Sequence, residues 1–378
     1  MSEFKNLPSG WKVVRLEKVA PLQRGYDLPT DNIKEGLYPV VYSNGILRFH
    51  NEFKAKAPGV ITGRSGTIGK VVYVEEDYWP HNTSLWVTNF YDNNPKFIYY
   101  MYINLNLARF SAGSGVPTLN RNDIHAQTIP LPPLDEQEKI AKILSTWDEA
   151  INLTINLIEN KKRFKKALMQ NLLTAKIRFP EFQDEWQETK LGKFLKEKSD
   201  RNTENIDLVL SVTNKFGFVT QVEYFDKSVA SDNTTNYKVV RKGNFAYNPS
   251  RINIGSIALL ESYEIGILSP MYVVFECLKN LDNRFLNFWF QSHNFIGNLY
   301  KYLAGSVRES LNFKDMKTIS IKLPNLNEQQ KIAEVLTACD DEINLLNLKL
   351  ENLKKQKQGL MQKLLKGEIR TCYVKKAM

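Results

Sequence analysis

Residues 129–178 open with IPLPPLDEQEKIAKILSTWDEAINL and close with ALMQNLLTAKIR; residues 321–370 open with IKLPNLNEQQKIAEVLTACDDEINL and close with GLMQKLLKGEIR. The two stretches align without a gap at an offset of 192, and roughly half of their positions are identical. Chance does not produce that, and duplication on this scale constrains the architecture before any motif is weighed. The preceding segments correspond too: GSGVPTLNRNDI at 113–124 matches GSVRESLNFKDM at 305–316. More loosely, Trp11 and Leu16 in GWKVVRL are echoed by Trp186 and Leu191 in EWQETKL. The chain reads as two copies of one unit, each a variable globular segment followed by a helical one that hardly changes between copies.

The helical segments carry a clear period. In the second, Ile332, Leu336, Cys339, Ile343, Leu346, Leu350, Leu353, Leu360 and Leu364 step alternately by four and three, with Lys357 as the gap. The first follows the same register at Ile140, Leu144, Trp147, Ile151, Ile158, Leu168 and Leu172, interrupted by Thr154, Lys161 and Lys165. A 3.5-residue spacing is the seam of a coiled coil. About 38 helical residues at 1.5 Å each span roughly 57 Å, too long for a small domain to cover. Each helix therefore needs a partner helix, and the other copy supplies it. A homodimer through the same seams is the alternative; a shared register and short loops favour pairing within one chain. The lysine gaps also leave room for a helix from another protein. The run Lys161, Lys162, Arg163, Lys165 and Lys166 reads as a solvated face or as a contact to DNA. Pro132, Pro133 and Asp135 mark the start of the first helix, and Pro324 and Asn327 that of the second, as a stop followed by a side-chain cap. Glu138, three residues after Asp135, suits a reciprocal capping arrangement.

The variable segments alternate short apolar runs with turns. YPVVYSNGILRF, GVITGRSGTIGKVVYV and TSLWVTNF in the first, and LVLSVTNKFGFV, GNFAYNPSRINIGSIALL and SPMYVVFEC in the second, predict strands joined by hairpins. FIYYMYINLNLARF and RFLNFWFQSHNFIGNLYKYL predict amphipathic helices. Each unit is thus expected to be an α+β domain.

GRSGTIGK, residues 63–70, resembles a phosphate-binding loop only superficially. Its spacing is off by one, and Val71 stands where a magnesium-holding hydroxyl belongs. Its counterpart is NPSRINIGS, residues 248–256, with Arg251 in the place of Arg64 and Ile254-Gly255 in that of Ile68-Gly69. Both lie between strand-like runs, so each is expected to be a hairpin tip bearing an arginine. Such a tip fits a major groove, where the guanidinium fork matches the O6/N7 edge of guanine. Taken alone the motif fits an ordinary glycine turn as readily; the repeated arginine turns the expectation toward DNA. Asn120 with Arg121, and Asn312 with Lys314, follow the Gly-Ser turns and are further candidates, although the asparagines would serve equally as caps for the segment after them. The candidate DNA-contacting set is Arg64, Ser65, Lys70, Asn120, Arg121, Asn248, Arg251, Asn253, Arg308, Asn312 and Lys314.

Composition narrows the class. The chain has 378 residues, 43% hydrophobic and 11% aromatic, and fits folded domains. Its formal net charge of +10 favours a polyanionic partner. Cys277, Cys339 and Cys372 form no close pair, and His50, His81, His125 and His293 are scattered, so neither a disulfide framework nor a metal site is expected. Tyr247-Asn248-Pro249-Ser250 lacks the second proline and the aromatic residue of an adenine-holding methyltransferase loop. No carboxylate pair or nucleophile–base set stands out, and no catalytic residue is expected. The N-terminus lacks the apolar core of a signal peptide, and no apolar run approaches the eighteen or so residues that cross a bilayer. A cytoplasmic protein without a membrane partner is the expectation.

The duplicated LPPLDEQEKIAKIL / LPNLNEQQKIAEVL entry, the ALMQNLL / GLMQKLL exit and the Gly-Ser…Leu-Asn…Asp stretch before each helix together resemble the specificity subunits of type I restriction-modification enzymes, over essentially the whole chain. The resemblance implies an α+β fold: two target recognition domains of mixed α/β structure, joined by two long helices in an intramolecular antiparallel coiled coil with pseudo-twofold symmetry. The corresponding boundaries are 1–134 and 176–326 for the recognition domains, 135–175 and 327–370 for the helices, and 371–378 for a tail. The implied partners are double-stranded DNA, two methyltransferase subunits that use S-adenosylmethionine, and restriction/translocase subunits that use ATP and magnesium. No cofactor is expected in this chain itself. The helix pair would act as a ruler. Four residues inserted in both helices would separate the heads by about 6 Å, close to two base-pair steps of about 3.4 Å each. A stand-alone DNA-binding regulator on the same scaffold is the alternative; a self-sufficient nuclease or methyltransferase would need catalytic motifs that are missing.

Overall fold

The computed structural model describes residues 7–113, 115–220, 233–303 and 310–371. The chain divides into two compact units, residues 1–156 with 348–378, and residues 157–347. Each unit takes one recognition segment, part of the first long helix (Leu134–Leu172) and part of the second (Leu326–Lys366).

In the first unit the strand Lys12–Arg15 pairs antiparallel with Thr128–Leu131, so the start and end of the recognition segment meet beside the long helix. A four-stranded antiparallel sheet orders Leu22–Arg24, Ser84–Val87, Gly59–Gly63 and Val71–Val74. A second sheet has Tyr38–Tyr42 at its centre, antiparallel to Gly45–His50 and parallel to Trp79–Pro80. The second unit repeats this plan. Gln187–Lys190 pairs with Ser320–Leu323, and a four-stranded sheet orders Leu195–Lys198, Val273–Cys277, Phe245–Tyr247 and Ile257–Leu259.

The expected amphipathic helices form at Pro95–Asn104 and Asn283–Gln291. Each is capped by a side-chain oxygen, that of Asn94 accepting from the Phe97 amide and that of Asp282 from the Phe285 amide, both at 2.9 Å. Phe97, Ile98, Tyr100 and Met101 pack with Ile140, Leu144, Met361 and Leu364 in the core of the first unit. Phe285, Leu286 and Trp289 pack with Leu172, Ile332 and Leu336 in that of the second.

Inside each unit the two long helices run antiparallel. In the first unit, residue 136 pairs with 370 and 148 with 357; in the second, 161 pairs with 342, 165 with 340 and 178 with 328, so partner numbers fall as the others rise. Among the seam positions Ile140, Leu144, Ile151, Ile158, Ile332, Leu336, Ile343 and Leu350 are buried, while Trp147, Leu346 and Leu353 are half-buried. The lysine interruptions have a physical account. Lys357 Nζ meets Asp148 at 2.5 Å, Lys165 Nζ meets Asp340 at 2.6 Å and Lys161 Nζ meets Glu342 at 2.7 Å, so cross-helix ion pairs fill the gaps. Lys162 pairs along its own helix with Glu159.

The caps differ from the sequence expectation. The first helix begins at Leu134, which puts Asp135 inside the first turn, where it pairs with Lys139. In the second the cap is Asn325, whose side chain accepts from the Glu328 amide at 3.0 Å, and Asn327 lies within the helix. The chain enters each helix one or two residues earlier than the polar residue suggested.

Candidate nucleic-acid interface

The strands Gly59–Gly63 and Val71–Val74 pair antiparallel, and residues 64–70 connect them. The glycines of GRSGTIGK serve this turn. A Cβ on Gly63 would lie 1.8 Å from the Thr67 carbonyl oxygen, a distance no side chain tolerates. The Arg64 amide donates to the Thr83 carbonyl at 2.8 Å, and its own carbonyl accepts from the Leu119 amide at 2.8 Å. Its Nε donates to the Asn82 carbonyl at 3.0 Å. Ser65 forms a bridge with Thr118, and the Gly66 amide donates to the Pro117 carbonyl. Lys70 Nζ donates to the Asn44 carbonyl at 2.6 Å. Next to Leu119, Asn120 caps the short helix Arg121–His125, accepting from the Asn122 amide, and Arg121 is exposed. Two candidate stretches more than fifty residues apart in sequence are thereby joined through the main chain.

The second unit makes the same junction. Residues 248–256 connect Phe245–Tyr247 to Ile257–Leu259, here as a 3-10 helix over Pro249–Ile254 capped by Asn248, closed by Gly255 at a φ of 82°. The Leu311 amide donates to the Pro249 carbonyl at 3.2 Å. Leu311 stands 192 residues after Leu119. Asn312 caps Phe313–Met316 by accepting from the Asp315 amide, and its Nδ2 donates to Asp315 Oδ2. With both asparagine oxygens used as caps, Arg121 and Lys314 are the exposed cations of these segments. Arg251 is exposed and Asn253 half-buried. Arg308 lies outside the described residues.

Sequence reasoning missed the polar residues that fix each recognition segment to its long helix. Glu136, Gln137, Glu328 and Gln329 are almost fully buried. Gln137 Oε1 accepts from the Asn94 amide at 3.0 Å, while its Nε2 donates to Pro132 O and Asn93 Oδ1. Gln329 repeats the pattern with the Asp282 amide, Asn280 O and Pro324 O. Glu136 accepts two hydrogen bonds from Arg370 and one from Trp11 Nε1 at 2.9 Å. Glu328 accepts two from Arg178, at 2.8 and 2.9 Å. The Glu-Gln pair kept in both copies was the available signal.

Among the described residues the Cys277 thiol is not an activated nucleophile. Burial, with help from Asp282 and Glu276, pushes the Cys277 thiol up to about 12, so it stays protonated. Among the described residues no group of histidine, cysteine or carboxylate side chains could hold a metal ion. No described helix is long and apolar enough to cross a membrane.

A family model for the type I restriction modification DNA specificity domain matches residues 8–163 and 183–355, one copy on each repeat. The chain belongs to this family. The specificity subunit of the type I restriction enzyme MjaVIII of Methanocaldococcus jannaschii is 29% identical over 284 residues, which cover 68% of this chain and 66% of that one. The putative MjaX specificity subunit of the same organism is 28% identical over 334 residues, covering 80% and 76%. The crystal structure of the S subunit of a type I restriction-modification system from M. genitalium shares the fold with a TM-score of 0.61 at 16% identity, covering 97% of this chain and 98% of that one. The expected architecture of two mixed α/β domains with paired long helices is therefore present. The protein is a DNA specificity subunit of the type I restriction-modification class, a non-catalytic role.

Proposed function

We propose that each unit of this specificity subunit reads one half of a bipartite, asymmetric DNA site, with residues 64–70 and 248–256 addressing base edges and the segments beginning at Asn120 and Asn312 meeting the phosphates beside them. The observation that carries this reading is the junction made twice. In both units an arginine-bearing connection is bonded through its main chain to the segment that opens an asparagine-capped turn, at Leu119 and at Leu311. One surface thus combines a guanidinium suited to guanine with cations suited to phosphate. The two connections differ in conformation, an open turn against a 3-10 helix, which fits two different half-sites. The formal net charge of +10 supports a polyanionic ligand.

The chemistry then belongs to partners: two methyltransferase subunits supplying S-adenosylmethionine, and restriction/translocase subunits supplying ATP hydrolysis with magnesium. Methylation-sensitive genome sequencing of a host expressing this chain with its methyltransferase tests the reading. The expected result is a split motif with unequal halves and a fixed spacer, and a spacer that changes when both long helices are lengthened by four residues. A single unbroken run of recognised bases would falsify it.

A further inference from the structure

The arginine of the first unit is held, and a second tier of contacts stands behind the hold. Asn82 lends its carbonyl to Arg64 Nε at 3.0 Å. The side chain of Asn82 is itself bound, its Nδ2 donating to Asp27 Oδ1. The same Asp27 oxygen lies 3.6 Å from Arg24 NH2. The amide of Arg64 and its carbonyl are fixed to Thr83 and Leu119. Among the described residues no acidic side chain pairs with Arg64, so its NH1 and NH2 are left as a fork for a ligand. A guanidinium tied at Nε keeps those two nitrogens in one plane and one direction, and ordering it beforehand lowers the cost of a bidentate contact.

We propose that Asp27 is a positioning residue for DNA specificity: through Asn82 it aims the Arg64 fork at its base without touching the base itself. This rests on the reading of Arg64 given above. Asp27 lies 37 residues before Arg64, outside every motif that marks the connection. Without its acceptor, the Asn82 side chain no longer ties residue 82 to Asp27, the main-chain carbonyl that holds Arg64 Nε is less firmly placed, and the fork samples directions that no longer match a single base.

The test uses the full chain co-expressed with its methyltransferase, reading methylated motifs genome-wide for Arg64→Ala, Asp27→Ala, Asn82→Ala, Asp27→Asn and the double variant D27A/R64A, with thermal melting of each protein to confirm folding. The expected result is that Arg64→Ala relaxes one position of one half-site at least tenfold, and that Asp27→Ala and Asn82→Ala relax that same position about threefold to tenfold. Asp27→Asn, which keeps an oxygen for Asn82, recovers most of the lost discrimination. The double variant is no more relaxed than Arg64→Ala, because the three residues act through one contact. If Arg64→Ala relaxes a base while Asp27→Ala and Asn82→Ala leave it unchanged, or relax a different base, the positioning role is overturned and the parent reading survives. If Arg64→Ala itself changes no base preference, both fall together.

Discussion

In the first unit the arginine expected to meet DNA, Arg64, is fixed through its main chain and through Nε, whereas Arg251 in the second is exposed, its side chain without a hydrogen bond or ion pair among the described residues. The joints to the long helices diverge in a parallel way. Glu136 is satisfied by Arg370 and by Trp11, but Glu328 relies on Arg178, and the indole N–H of Trp186 is buried without a partner among the described residues. Tyr100 donates its hydroxyl to Asp148 at 2.6 Å, where the second unit has Phe288 with only Lys165 over its ring. Duplication preserved the framework, an acid against an arginine and a glutamine against a helix start. The details that add a donor or fix a side chain went their own way in each copy. At these three places, among the described residues, the first unit has the polar group tied down more fully, and the differences can be broken one by one.

The largest effect is expected at the buried acids. Removing the arginine leaves a carboxylate out of contact with water, and breaking such a pair is more damaging than never having had it. Arg370→Ala should destabilise the protein by about 3 kcal/mol, since Trp11 still donates to Glu136. Arg178→Ala should cost more, because Glu328 then loses the side-chain donors it has among the described residues. Chemical denaturation of both variants checks the order. Equal losses would mean that the indole bond contributes nothing to the asymmetry.

The sequence displayed the framework and hid the joints. The repeat and its 3.5-residue seam were legible because burying a long stripe such as Ile140, Leu144, Ile332 and Leu336 forces a strict spacing. Lys165 and Lys357 looked like defects in that seam, since a sequence does not say that Asp340 and Asp148 lie opposite. The helix starts were misplaced for a local reason: Asp135 and Asn327 are good caps by residue type, but a proline or Asn325 reached the position first. Glu136 and Gln137 gave the appearance of an ordinary polar first turn. Their burial depends on Trp11, Asn93 and Arg370, residues remote in sequence that only the fold brings together. The hairpin-tip positions of Arg64 and Arg251 were readable from flanking strands, whereas the Asp27–Asn82 link behind Arg64 was not.

A smaller effect sharpens the contrast between the arginines. Arg64→Lys keeps the charge and loses both the Nε anchor and the fork, so it should give up about 1–3 kcal/mol of base discrimination. Arg251→Lys should give up less, because nothing among the described residues orders the Arg251 side chain beforehand. Competition binding with half-site-substituted duplexes measures both. A larger loss at Arg251 would show that being tied beforehand confers no advantage. Below this lies Tyr100→Phe, which copies the second unit into the first. Losing a hydrogen bond to a carboxylate should destabilise the first unit by about 1.5 kcal/mol, measured as a shift in the unfolding midpoint. An unchanged midpoint would mean that Lys357, already bonded to Asp148, satisfies that acid alone.

The smallest expected difference depends on pH. In the first unit the Leu22 amide donates to His125 Nε2 at 2.8 Å, which requires that nitrogen to be unprotonated. Burial, aided by the nearby Arg121 charge, lowers the pKa of this imidazole. A base whose folded value is depressed contributes stability that is complete above its unfolded value, about 6.5, and is lost as the pH falls through the lower folded one. The burial of His81 lowers its value too, in the same direction. At the place of His125 the second unit has Lys317 and no imidazole. Acidification from pH 7 to 5 should therefore loosen the strand Leu22–Arg24 while leaving Leu195–Lys198 unaffected. Hydrogen exchange of the two strands, corrected for intrinsic rates, reports this directly, and His125→Asn should remove most of the difference. Equal loosening of both strands would place the acid sensitivity in the carboxylate pairs common to both units.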